Sequence, residues 1–219
     1  LKMISQLDCV RYAALCTDRI ESFGVDVEQV PNDETAMRRM EQIRDYTVSR
    51  PLSSRMHDFT EPHSFWLFLK KDGRDVGGVC AKYMDLGSES FGSYISRALT
   101  RQFFPKGNGR VSSIDTSRIT GLGGRVVYLG DLFLEHEQRG SAEQVRSIMH
   151  LLFLSSLLKW PDLDWIYSFL RNKDVGKAHF YGFTENIPTP LSWSGNKDGR
   201  SNEEYLATRL WHPMGAEHA

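Results

Sequence analysis

Apolar positions recur along this chain at two spacings, and the changes between them mark its elements. Met37, Met40 and Ile43 fall at helical spacing behind Asn32-Asp33-Glu34, a polar helix start, which predicts a helix over residues 33–48 that Pro51 ends. A second helix is predicted over 8–17. Phe65-Trp66-Leu67-Phe68-Leu69 reads as a strand, Lys71-Asp72-Gly73 as a hairpin turn, and 76–83 as the returning partner, where Gly77 and Gly78 weaken the strand or mark a bulge. Over 125–135, Val127, Leu129, Asp131, Phe133 and Glu135 share one face of a strand, and Val126, Tyr128, Gly130, Leu132 and Leu134 the other. A strongly apolar helix follows over 142–159, with Val145, Ile148, Met149 and Leu152 on one stripe and Trp160-Pro161 at its close. Residues 165–170 read as a strand, 174–181 as a brief helix and 205–211 as a last, alternating strand.

Between the hairpin and the 125–135 strand the pattern loosens. Residues 85–124 are rich in Gly and Ser and hold one amphipathic stretch, 94–104, read as a short helix inside a long loop. The hairpin requires antiparallel pairing, and the later strand–helix–strand unit requires parallel pairing. The expected architecture is an α/β fold in one domain over 1–219, a mixed and mostly antiparallel sheet flanked by helices.

Composition narrows the function classes. The 27 basic and 28 acidic residues leave a net charge of -1, so no global basic field exists to attract nucleic acid. The longest apolar run, around 151–154, is too short to span a bilayer, and Lys2, Asp8 and Arg11 do not fit a signal-peptide core. The three cysteines, Cys9, Cys16 and Cys80, form no C-x-x-C pair, which points to free thiols and a cytoplasmic setting and leaves a Cys9–Cys16 disulfide open.

The chemistry concentrates where the 125–135 strand feeds the long helix, in "DLFLEHEQRGSAEQVRS". Ser141 followed by Gln144 fits a capping box. The first N–H groups of such a helix lack internal partners and carry the positive end of its dipole, which makes an anion site. Gly140 allows close approach to the backbone, and Arg139 and Arg146 add positive charge. A well-capped helix without a ligand is the plainer reading of the same residues.

The stretch "VVYLGDLFLEHEQRGSAEQVRSIMHLL" resembles the central motif of the GCN5-related N-acetyltransferase (GNAT) superfamily, a strand entering an Arg/Gln-x-x-Gly-x-Gly/Ala turn and then a long apolar helix. "WIYSFLRNKDVGKAHFYGF" resembles the family's next strand and short helix, closing on Gly182-Phe183, and the 65–83 hairpin resembles its second and third strands. The likeness covers roughly 60–211 and makes 85–124 a long insertion between the third and fourth strands. Aligned on Arg139-Gly140, the family glycines fall on Ala142 and Gln144, and the slot of the family's proton-donating tyrosine falls on Ala178.

The resemblance implies acyl transfer from acetyl-CoA or another acyl-CoA to an amine by direct attack, the acceptor being a small molecule or a peptide. The cofactor would lie in the gap between the strands at 125–135 and 165–170. Its pyrophosphate would rest on Arg139, Gly140, Ser141, Ala142 and Gln144, and its pantetheine arm would pair with backbone near Leu134 and His136. Glu135 and Asp131 are the candidate bases, with His136 adjacent, and Tyr181 or His179 the candidate proton donors to the leaving thiolate. Two alternatives accompany this reading. One is a homoserine-lactone-synthase-like enzyme charged by acyl carrier protein, which the basic residues Arg97, Arg101, Lys106 and Arg110 would suit. The other is a non-catalytic binding module on the same fold.

Other motifs add little. His57, Asp58, Glu61 and His63 match no zinc spacing and read as a polar loop, so no metal is expected. Gly121-Leu122-Gly123-Gly124 precedes a strand where a dinucleotide fingerprint follows one. No G-x-S-x-G elbow is present.

Overall fold

The structure, a computed structural model, describes residues 5–56, 63–115, 119, 121–139, 141–188, 190–195 and 203–210. In chain order its elements are α1 (Gln6–Glu21), β1 (Asp26–Pro31), α2 (Glu34–Arg44), a 3-10 turn (Arg50–Leu52), β2 (Ser64–Lys71), β3 (Arg74–Asp85), α3 (Phe91–Phe103), β4 (Arg110–Ile114), β5 (Arg125–Leu134), α4 (Ala142–Lys159), β6 (Trp165–Arg171), α5 (Ala178–Tyr181), β7 (Glu185–Pro188), β8 (Leu191–Ser194) and β9 (Glu204–Leu210). Seven strands form one sheet in the order β1-β2-β3-β5-β6-β9-β7, and β4 pairs with β8 in a separate ribbon. Only β5 and β6 run parallel; the other pairs are antiparallel.

Local chemistry sets the boundaries. Ser5 and Asp8 close a capping box on α1, and the Asp33 side chain accepts from Ala36 N to start α2. Asp72 and Gly73, with φ of 52° and 76°, make the two-residue turn that matches the twist of β2 and β3. Each sheet face then takes its helices. Phe65, Leu67, Val127, Leu129 and Ile166 pack under α1 and α4. Trp66, Phe68, Val126, Tyr128 and Tyr167 pack with α2 and α3. Phe65, Trp66 and Phe68 are almost wholly buried, each contributing about 1.5–3 kcal/mol.

Several expectations are corrected. The β1 strand was not expected, because its outward charges and Pro31 mask the edge-strand alternation. Residues 85–124 are not a plain loop; they hold the 13-residue α3 and the strand β4. The β7 and β8 strands, of four residues each, were also unexpected. The brief helix at 174–181 is a 3-10 stretch over Asn172–Lys177 followed by the single turn of α5. All three cysteines are free. Trp211 and the residues His57, Asp58 and Glu61 lie outside the described residues.

The largest correction concerns β5. Gly78 pairs with Phe133 but Cys80 pairs with Gly130, so Asp131 and Leu132 together oppose Val79 in a bulge. Asp131 takes a left-handed φ of 58° there. The bulge reverses the alternation: Val127 and Leu129 face α4 before it, and Leu134 faces α4 after it, with Phe133 on the α2 side. Asp131 and Glu135 therefore do not share a face with Val127 and Leu129. Gly77 sits beside this shift because a Cβ there would meet Phe133 O at 2.6 Å.

Candidate functional site

The parallel ladder between β5 and β6 covers only Val126–Trp165, Val127–Ile166 and Tyr128–Tyr167. Beyond it β6 pairs with β9 along its length, while β5 bulges and continues to Leu134. The facing edges of the two strands then carry backbone groups with no ladder between them. Tyr128, Tyr167 and Phe169 pack around the point of divergence, with Tyr128 and Tyr167 centroids 5.3 Å apart.

The divergence opens a cleft of about 620 Å³. Leu129, Gly130 and Leu132 line it from β5, Ser168, Phe169 and Arg171 from β6, and Met149, Tyr181 and Phe183 from the α4–α5 side. The segment from Arg44 to Pro51 and Phe103 of α3 form the opposite wall. Past the end of β5 the chain makes a 3-10 turn at His136–Gln138 and enters α4.

At that helix start Ser141 is the N-cap, and its hydroxyl accepts from Gln144 N at 3.1 Å. The reciprocal half of the expected capping box is not formed: Gln144 is buried, and its Nε2 has no partner among the described residues. Ala142 is exposed, and Gly140 lies outside the described residues. Arg139 is exposed, with Nε donating to Leu134 O at 2.7 Å and its guanidinium over the Phe133 ring. Glu143 in the first turn pairs with Arg19 of α1.

The expected pantetheine contacts shift. Leu134 O is engaged by Arg139, Glu135 N donates to Val76 O, and His136 is exposed. The backbone that lines the cleft is instead that of Leu129 to Leu132.

The candidate acids and bases separate. Glu135 is bound to Arg74 at 2.5 Å and does not line the cleft. Asp131 lines it, yet its carboxylate accepts from Ser49 N at 2.9 Å and meets Arg44 at 3.3 Å. His179 is exposed, its Nδ1 3.1 Å from Phe183 O, and lies outside the cleft lining. Tyr181 does line the cleft, and burial pushes its phenol above the ordinary value, so it holds its proton. Ala178, at the family's tyrosine slot, is fully buried.

Three cleft residues carried no sequence signal. Glu204, at the start of β9, is buried at 8% exposure and lines the cleft. Arg50 and Phe103 come from segments far from the motif. Charges at strand ends and aromatics in amphipathic helices are ordinary, so only the tertiary fold brings these residues together. Among the described residues no group of His, Cys, Asp and Glu is suited to hold a metal, and no helix is long and apolar enough to cross a membrane.

No protein-family profile matches the sequence, and no curated protein matches it. Solved structures do match. One is an acyl-CoA N-acyltransferase from Pseudomonas aeruginosa, at 11% identity and a TM-score of 0.50 over 85% of this chain and 99% of that one. Others include Arabidopsis thaliana NAA60 in complex with acetyl-CoA, at 14% identity and 0.49 over 84% and 98%, and Escherichia coli ElaA, at 11% and 0.47 over 84% and 99%. At such identities the likeness concerns the fold. The chain has the fold of the GNAT superfamily, a mixed and mostly antiparallel α/β sheet split between β5 and β6.

Proposed function

We propose that this protein is an N-acyltransferase that moves an acetyl or other acyl group from acyl-CoA to an amine. The observation that carries the reading is the early end of the β5–β6 ladder, which leaves a cleft between unpaired strand edges and directs it toward the N-terminus of α4. The pantetheine arm would follow the backbone of Leu129 to Leu132. The pyrophosphate would meet the first N–H groups of α4, with Arg139, Ser141, Ala142 and Gln144 around it and Gly140 in the same turn.

The reaction asks for a base, a carbonyl polariser and an acid. Tyr181 is the acid that returns a proton to the leaving thiolate. Glu204 suits the base better than Glu135, because it lines the cleft and Glu135 does not. Asp131 serves as the fastener of the bulge, and His179 as a brace for the backbone at Phe183.

The test is release of free thiol from acetyl-CoA and longer acyl-CoAs in the presence of a panel of amines. Turnover that depends on both substrates supports the reading. CoA binding with no turnover for any amine or acyl length favours the non-catalytic alternative. The carrier-protein alternative has one observation behind it, a shallow groove on α3 and β4 that includes Arg97, Arg101 and Arg110. Turnover with acylated carrier protein and none with acyl-CoA would favour it.

A further inference from the structure

The cleft wall opposite α4 carries a guanidinium that the fold holds in place but does not neutralise. Arg50 is half-buried in the 3-10 turn and lines the cleft. Its Nη1 donates to Gln102 O at 2.6 Å, and its guanidinium lies 5.3 Å from the centre of the Phe103 ring. One carbonyl and one ring fix its orientation and use one of its five N–H donors. No carboxylate among the described residues pairs with it.

Elsewhere the chain treats its arginines differently. Arg39, Arg44, Arg55, Arg97 and Arg125 all meet carboxylates within 3.4 Å. The acids near Arg50 are committed to other partners: Asp131 to Arg44 and Ser49 N, and Asp174 to Lys177 at 3.0 Å. A half-buried guanidinium with an aromatic behind it and open donors in front suits a planar anion, which it can grip through two parallel hydrogen bonds. Phe169 and Tyr128 add apolar surface to the same cleft, and Glu204 adds a buried carboxylate that suits an ammonium group.

We propose that the acceptor is a small amine that also carries a carboxylate, such as a free amino acid, and that Arg50 seats that carboxylate. This rests on the acyltransferase reading above. In the reaction the amine nitrogen attacks the thioester carbonyl carbon. The C–N bond forms, the C–S bond breaks, the amine proton passes to a base, and the sulfur leaves as a thiolate that takes up a proton. The products are an N-acyl amino acid and free CoA, with no oxidant or reductant required.

The test compares matched acceptors on the wild-type protein: phenylalanine, phenylalaninamide and phenethylamine, with acetyl-CoA and with a longer acyl-CoA. The amino acid is expected to exceed the amide and the decarboxylated amine in kcat/KM by about 10- to 100-fold, the value of a charge-assisted pair, mostly through KM. Arg50→Gln should remove that preference while leaving the amide's rate within a few-fold, and Arg50→Lys should restore part of it. Thermal stabilisation by CoA should be unchanged in both variants. Equal use of the three acceptors by the wild type overturns the proposal without any variant. An Arg50→Gln variant that folds and loses CoA binding would assign the guanidinium to a CoA phosphate and also overturn it. If no amine of any kind is acylated, the acyltransferase reading fails first, which separates the two outcomes.

Discussion

The Asp131 carboxylate stands 3.3 Å from Arg44 Nη1, joining the bulge of β5 to the end of α2. Arg44 is 1% exposed on its side chain and Asp131 10%, and Arg44 also donates to Tyr46 O and Thr47 O. One ion pair thus ties the strand that lines the donor side of the cleft to the loop that forms its other wall. Asp131 was read from the sequence as a candidate base; its surroundings make it a fastener.

Breaking this pair from one side leaves a buried charge. Asp131→Asn retains a side chain tolerant of the left-handed backbone, yet strands Arg44, and it should cost about 3 kcal/mol in denaturant unfolding. The double variant Arg44→Met/Asp131→Asn should recover part of that loss. Equal stability of the single and double variants would show that the pair does not couple the two elements.

Tyr181→Phe should keep the fold and lower kcat by about 10²-fold or more, the usual scale for loss of a positioned acid. Burial raises the Tyr181 phenol, so the wild-type rate should show no alkaline decline from this group below the ordinary tyrosine range. An unchanged kcat in the phenylalanine variant would remove Tyr181 from the chemistry.

Gln144 offers a prediction in which stability and affinity move in opposite directions. Its Nε2 is buried without an acceptor among the described residues. A donor in that condition is costly to the folded protein and useful to an anion. Gln144→Met should leave stability unchanged or raised, and weaken CoA binding by about tenfold, one charge-assisted hydrogen bond. Equal CoA affinity in the two proteins, measured by calorimetry, would make Gln144 a packing residue.

Lys82 sets an alkaline signature. It is 2% exposed, Nζ donates to Pro51 O at 3.0 Å, and burial lowers its pKa to about 8. A lysine whose folded value lies below its unfolded value binds fewer protons when folded, so stability rises with pH between the two. The penalty is fully present below pH 8 and is relieved as pH climbs toward 10.5. The stability difference between wild type and Lys82→Met should therefore change by about 3 kcal/mol across that window, in favour of the wild type. A difference independent of pH would mean that Lys82 keeps an ordinary value.

Much of the fold was legible because its strongest elements are also its most periodic. The hairpin of β2 and β3, the α4 helix and β6 follow from apolar spacing and from Asp72-Gly73, Ser141 and Pro161. The short strands β7 and β8 were not legible, since four residues carry no period. The bulge at Asp131 hides for another reason. An extra residue leaves the alternation intact on each side and changes only its phase, so Phe133 and Glu135 were assigned to the wrong face. The site was half legible. The α4 N-terminus and Tyr181 could be read near the motif, whereas Arg50, Phe103 and Glu204 are brought to the cleft only by tertiary packing.

Thermal unfolding with increasing acetyl-CoA, and in parallel with CoA, tests the central claim most directly. A ligand that binds only the folded protein raises its stability by about 2.7 kcal/mol at a hundredfold excess over its dissociation constant. The account predicts a saturable upward shift for both, reduced in Gln144→Met and unchanged in Arg50→Gln. No shift with acetyl-CoA, longer acyl-CoA or CoA at any concentration would contradict it, and would leave the turn before α4 as a helix cap and nothing more.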